Sequence, residues 1–189
     1  MRCCFLNAEE EAAAEKMVAL AKGAGFTEVG ILDASTLVLR QEVRDMCNAD
    51  KCRMFNHNWA CPPACGTLDE CQERISGYRW GILVQSVGQL EDSMDIETMM
   101  DTEHDHKEHF KEAIGLLREH YPRLMPLGTG TCTICKKCSY PDAPCRFPER
   151  RISSMEAYGL VVSDTCTANG MKYYYGPNTI AYTACYLLG

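Results

Sequence analysis

Trp80-Gly81-Ile82-Leu83-Val84-Gln85-Ser86-Val87 is the stretch whose reading decides the fold. It is a nearly continuous apolar run, the pattern of a central strand buried on both faces rather than one with a wet side. Such a strand needs cover above and below, and the chain on either side supplies helical patterns for it. Upstream, Thr67 with Glu70 forms a capping box, and Leu68, Cys71 and Ile75 align on the apolar face of the helix it starts. Before that, Leu39, Val43 and Met46 stand at i, i+4, i+7 and predict a helix that delivers Cys47 at its C-terminal end. Glu28 to Asp33 reads as a short buried strand. The first helix opens with the capping box Asn7/Glu10, carries the stripe Ala13, Met17, Leu20, Ala24, and stops at Gly23 and Gly25.

Downstream of the central run, residues 91–101 are acidic and rich in methionine without a clear period, and read as a surface loop. Phe110, Ile114, Leu117 and Tyr121 mark an amphipathic helix that ends before Pro122. Leu124 to Leu127 is a short strand leading into Gly128-Thr129-Gly130. Ser153 with Glu156 suggests a third capping box, with Met155, Gly159, Val162 and Cys166 on one helix face and Asn169-Gly170 closing it. Lys172–Tyr175 and Thr179–Leu188 read as a terminal hairpin across Gly176-Pro177-Asn178. With no internal repeat and no low-complexity linker, residues 1–189 are expected to form one compact α/β (or α+β) domain of alternating helices and strands, with two cysteine-rich loops and a C-terminal β-hairpin.

The composition is that of a globular protein, 46% apolar and 24% charged, and it excludes a disordered chain. No apolar run approaches the ~18 residues of a membrane-spanning helix. The start Met1-Arg2-Cys3-Cys4-Phe5-Leu6-Asn7 runs into Glu9-Glu10-Glu11, unlike a signal peptide, and Cys3-Cys4 are expected to fray. A net charge of −7 argues against nucleic acid or an anionic membrane as partner. Thirteen cysteines, an odd number in a chain too long for a small disulfide scaffold, point to a reducing cytoplasm and to metal or redox chemistry.

Nine of the thirteen fall into two blocks. The second reads Cys132-Thr-Ile-Cys135-Lys-Lys-Cys138-Ser-Tyr-Pro-Asp-Ala-Pro-Cys145, which is C-x2-C-x2-C with a fourth cysteine after six residues. Three thiolates at that spacing wrap a tight loop able to hold three corners of one iron–sulfur cube, and Pro141 and Pro144 stiffen the return to the fourth. Bacterial ferredoxins open the same way, with a shorter last gap. Zinc is the competing metal, but its structural sites take two separate C-x2-C knuckles, which overlapping knuckles sharing Cys135 fit poorly. Lys136, Lys137, Arg146, Arg150 and Arg151 surround the block, a basic patch able to raise a cluster's potential or to dock an acidic electron carrier.

The first block reads Cys47-x4-Cys52-x8-Cys61-Pro62-Pro63-Ala64-Cys65-Gly66-x4-Cys71. Five thiols in twenty-five residues exceed the needs of core packing, yet their spacing matches no simple ferredoxin pattern. Four stretches occur in order: Asn58-Trp59-Ala60-Cys61-Pro62-Pro63, Gly66-Thr67-Leu68-Asp69-Glu70-Cys71, the second block with Pro144-Cys145-Arg146-Phe147-Pro148, and Ser154-Met155-Glu156-Ala157-Tyr158-Gly159. Together they resemble the predicted metal-binding family that carries domain of unknown function 2284, from about Ala12 to the C-terminus. The family is found largely in anaerobic archaea and bacteria and has no agreed reaction. The resemblance implicates Cys47, Cys52, Cys61 and Cys71 as one ligand set and Cys132, Cys135, Cys138 and Cys145 as another. Cys65 and the run Arg53-Met54-Phe55 depart from the family pattern, which leaves the fourth ligand of the first set open between Cys71, which matches the family, and Cys65, which is closer to Cys61.

The remaining candidates read as structural. His104, His106 and His109 lie together, but His106 continues the stripe of Phe110 and Ile114. Gly128-x-Gly130 lacks the third glycine and following helix of a nucleotide fingerprint. Cys166 and Cys185 occupy apolar positions, and Tyr173, Tyr174 and Tyr175 suit a strand. The expected function is iron–sulfur binding through a [4Fe-4S] cluster in the second block and a second one in the first. Electron transfer with a redox partner protein, or a role as an accessory subunit of anaerobic metabolism, follows. An enzyme using an open iron near His57 or Asn58 as Lewis acid is one alternative, and a zinc-stabilised interaction module is another.

Overall fold

Strand β2 (Trp80–Gln89) lies inside a five-stranded sheet, with β1 (Glu28–Asp33) on one side and β5 (Thr179–Leu188) on the other. The order continues through β3 (Leu124–Gly128) to the two-residue β4 (Ser153–Ser154). Every pairing is antiparallel except β3 with β4, so the sheet belongs to an α+β fold. The computed structural model describes residues 5–189, and Cys3 and Cys4 lie outside them.

The alternation of β2 sorts its side chains onto two cores, as its apolar run requires. Trp80, Ile82 and Val84 join Ala184 and Tyr186 of β5 under α1 (Ala8–Gly23) and α4 (Ile96–Arg118), which contribute Met17, Phe110 and Leu117. Tyr186, fully buried, stacks on Phe110 and donates its hydroxyl to the Phe110 carbonyl at 2.9 Å. Leu83, Cys185 and Leu187 face the other way, against Cys71 and Ile75 of α3 (Leu68–Ser76) and against Met155 and Leu160. Both capping boxes, Asn7/Glu10 on α1 and Thr67/Glu70 on α3, are formed. Cys47 sits near the end of α2 (Gln41–Asn48), although Leu39 precedes the helix, Met46 is exposed and the buried side chain is that of Arg44.

Four readings are corrected. The terminal hairpin does not form: residues 172–175 are irregular, and β5 pairs with β2 and β3 instead. The cause is Gln85, which is fully buried; its Nε2 donates to the Lys172 carbonyl at 2.9 Å, and its Oε1 accepts from the Tyr175 hydroxyl at 2.7 Å. A side chain takes the Lys172 carbonyl, which a ladder would have used, and ties down Tyr175 beside it. The helix expected from Ser153 starts only at Val162, as α5 (Val162–Ala168). Ser153 and Ser154 enter the sheet beside Leu127 and Gly128, a 3-10 turn follows over Glu156–Tyr158, and Gly159 turns left-handed at φ 83°. A side chain there would strike the Arg40 carbonyl at 2.8 Å. The loop expected over 91–101 holds the first turn of α4, capped by Asp95, whose carboxylate accepts from the Thr98 amide. Finally, β1 is an edge strand on which only Leu32 is buried.

Candidate metal centre

The loop between β3 and β4 brings Cys132, Cys135, Cys138 and Cys145 to the lining of one small cavity, each cysteine half-buried. The loop holds its shape largely through side-chain-to-backbone bonds. Ser139 Oγ donates to the Pro144 carbonyl at 2.8 Å and Arg146 Nη1 to the Lys137 carbonyl at 2.9 Å. The cavity is closed from the first block. Asn58 and Trp59 line it; the Trp59 amide points at Cys138 Sγ, 3.5 Å away, and its indole donates to the Ala143 carbonyl at 2.9 Å. Tyr140 meets the Trp59 ring edge-on at 4.9 Å and donates its hydroxyl to Asn56 Oδ1.

The first block is built differently. Cys47 rides on α2 and Cys71 on α3, while Cys52, Cys61 and Cys65 lie in the irregular segment between them, where Asp50, Arg53 and Asn56 adopt positive φ. Cys52 is exposed, whereas Cys65 and Cys71 are buried. Burial pushes the Cys61 thiol up to about 11, against a lowering hydrogen bond with Thr131, and the neighbouring Cys52, Cys65 and Cys47 raise it further. Burial likewise raises Cys47, with Cys52, Glu156 and Cys65 adding to the effect. Cys52 and Cys65 thus both raise Cys47 and Cys61. Cys71 stands behind Cys65, packed in the second core. The adjacent Cys71 sulfur, with burial, holds the Cys65 thiol above the ordinary thiol range, and the Cys65 thiol beside it lowers Cys71.

Arg44 is the buried charge beside this block. Only 7% exposed, its guanidinium donates to the Gly66 carbonyl at 2.6 Å and lies 3.8 Å from Cys65 Sγ. It forms no ion pair among the described residues. Buried guanidinium groups are ordinarily paired, so its placement calls for negative charge on the thiols around it. Sequence reasoning passed over Arg44, because a lone cation on a short polar helix reads as solvated. It also left unassigned the reach of Trp59 and of Thr131, whose hydroxyl lies 3.6 Å from Cys61 Sγ and joins the two blocks.

Of the histidines, exposed His57 lies in the first block with its Nδ1 2.7 Å from the Phe55 carbonyl, while His104, His106 and His109 lie on α4. His106, fully buried, pairs its Nδ1 with Ser86 Oγ at 3.0 Å and packs on Phe26 and Phe110. Cys166 and Cys185 are buried in the interior, and Tyr173 and Tyr174 are exposed outside any strand. Among the described residues no three His, Cys, Asp or Glu side chains converge closely enough to chelate a single ion. No helix among them is long and apolar enough to cross a membrane.

The sequence profile of the family described as predicted metal-binding protein (DUF2284) matches residues 30–188. The chain belongs to that family. The match begins at β1 rather than near Ala12, so α1 lies outside the family region. No curated protein and no solved structure matches the chain. In this member of the family, three of the quoted family stretches meet around the first block: Cys61 and Cys65 follow Trp59, Thr67 caps the helix of Cys71, and the Ala157 carbonyl accepts from Cys65 Sγ at 3.7 Å. The fourth is the second cysteine loop itself.

Proposed function

We propose that the two cysteine blocks hold iron–sulfur clusters of the [4Fe-4S] kind and that the protein carries electrons in a reducing, cytoplasmic setting. One observation carries the reading: the four cysteines of the C-x2-C-x2-C…C loop share one cavity, and a backbone amide from the other block is aimed at one of their sulfurs. Hydrogen bonds to ligand sulfurs and partial burial are the means by which proteins tune such clusters. The donor set fits, being four thiols with no competing carboxylate in the lining. In the first block the charge of Arg44 suits an anionic, thiolate-ligated centre equally well.

Cys132, Cys135, Cys138 and Cys145 would hold one cluster; Cys47, Cys52 and Cys61 would hold the other with Cys65 or Cys71. We favour Cys65, whose amide bonds to the Cys61 carbonyl at 3.0 Å and whose sulfur lies 3.8 Å from Arg44, with Cys71 packed in the core. When bound, such a cluster supplies a one-electron carrier. The exposed Lys136, Lys137, Arg146 and Arg150 offer a docking face to an acidic redox partner.

Iron, sulfide and zinc analysis with visible spectra, on protein purified under strict anaerobiosis, tests the reading. A brown protein with equal iron and sulfide is the expected result. Colourless protein whose thiolates hold zinc overturns it in favour of a zinc-stabilised module. Cys65→Ala and Cys71→Ala identify the fourth ligand: the former should abolish the first-block signal, the latter only shift it.

A further inference from the structure

A second concavity lies along the open edge of β3, where only Leu127 and Gly128 are paired with β4. It has a volume of about 590 Å³, within the range of small-molecule sites. Four guanidinium groups line it, those of Arg74, Arg118, Arg123 and Arg151, against the single carboxylate of Glu149. In a chain of net charge −7 this is a local reversal of sign inside a cleft, where low-dielectric walls focus the field.

Three of the guanidinium groups, those of Arg74, Arg118 and Arg123, are held by carbonyls rather than neutralised by acids. Arg74 Nη1 donates to the Cys65 carbonyl at 2.6 Å, and Arg118 Nη2 to the Glu149 carbonyl at 3.4 Å. Arg123 donates to the Gly77 carbonyl and stands over the Tyr78 ring, 4.8 Å from its centroid. Among the described residues Arg118, Arg123 and Arg151 form no ion pair, and Arg74 has only the rim contact with Glu70 at 4.0 Å. Carbonyl anchors orient an arginine fork and leave its charge available, the arrangement used to receive phosphate and carboxylate oxygens. A concave site favours a compact molecule over a protein surface.

We propose that this cleft binds a small polyanion, a compact molecule bearing two or more phosphate or carboxylate groups. Arg151 lines both this cleft and the cavity of the second cysteine loop, so the bound anion lies beside that loop. The proposal does not depend on which metal, if any, the cysteines hold.

Calorimetric titration of the full-length protein with inorganic pyrophosphate and, separately, with tricarballylate tests it. Saturable one-to-one binding of at least one anion is expected, weakening as salt is added. Arg118→Gln and Arg123→Gln should each weaken it about ten-fold, since each removes a hydrogen bond to a charged group. Arg40→Gln, outside the cleft, should leave it unchanged, and Cys135→Ala should retain it, which separates this site from the metal reading. The tighter of the two anions identifies phosphate or carboxylate as the recognised group. Absence of saturable binding by both, equal affinity in the cleft variants and in Arg40→Gln, or binding of polyglutamate alone would overturn the proposal. Thermal melts confirm that each variant is folded.

Discussion

The loop of Cys132, Cys135, Cys138 and Cys145 leaves all four cysteines half-buried and belongs to neither hydrophobic core, whereas the first block runs from exposed Cys52 to Cys65 and Cys71, which are 1% and 0% exposed. In the second block the ligands lie close in sequence, three cysteines two residues apart and a proline-stiffened return within fourteen positions, and the first block adds Trp59 and Asn58 to the cavity lining. In the first, two helices, an irregular segment and a buried cation are needed. The difference teaches that one chain can hold one thiol set as a detachable loop and another as part of its interior, with opposite consequences for stability.

Arg44→Met should give the largest effect. In the metal-loaded protein it removes the cation beside the anionic thiolates and leaves their charge buried and uncompensated, at a cost of about 3 kcal/mol, and the first-block metal should go with it. Denaturant unfolding and metal analysis measure both, and wild-type behaviour in each would break the contrast between the blocks.

The next effect sharpens the contrast by isolating the interior beneath the second loop, where His106 and Cys132 line one small cavity. Burial lowers the His106 pKa to about 3, so between that value and the ordinary ~6.5 the unfolded chain binds a proton that the folded chain refuses. Stability therefore rises with pH across this window and is lost as pH falls below 6.5. Between pH 6.5 and 5 the loss is about 2 kcal/mol. His106→Gln should flatten the curve, and an unchanged slope in that variant would remove histidine from the account.

Cys185→Ala, in the second core, should cost about 1–2 kcal/mol through a small cavity and leave the metal content whole. Cys135→Ala should do the reverse: about half the metal lost and unfolding shifted by no more than about 0.5 kcal/mol. If it destabilises the chain as much as Arg44→Met, the second loop is not detachable.

The legible parts of the molecule are those in which cause and effect are close in sequence. The apolar run of β2, the two capping boxes and the C-x2-C-x2-C loop all depend on neighbours a few residues away. The Ser153/Glu156 box failed because the Met155 amide bonds to the Gly128 carbonyl and the Ser154 hydroxyl accepts from Ala157, which draws the segment into the sheet before a helix can start. The hairpin failed on the side chain of Gln85, nearly ninety positions from the groups it captures. Arg44 gains its meaning from Cys65, and Trp59 gains its meaning from Cys138, 79 positions on. No local pattern announces partners at such separations.

Trp59 has one more consequence. The chain has two tryptophans: Trp80 is packed in the core against Tyr121, with ring centroids 5.3 Å apart, while Trp59 leans on the second cysteine loop. Their fluorescence reports on separate events. Emission from Trp80 follows global unfolding, and emission from Trp59 is quenched by any visible-absorbing centre held at Cys138. Trp80→Phe leaves Trp59 as the sole tryptophan, an intrinsic optical gauge for following the filling and emptying of one site in real time, without label or chromophore added.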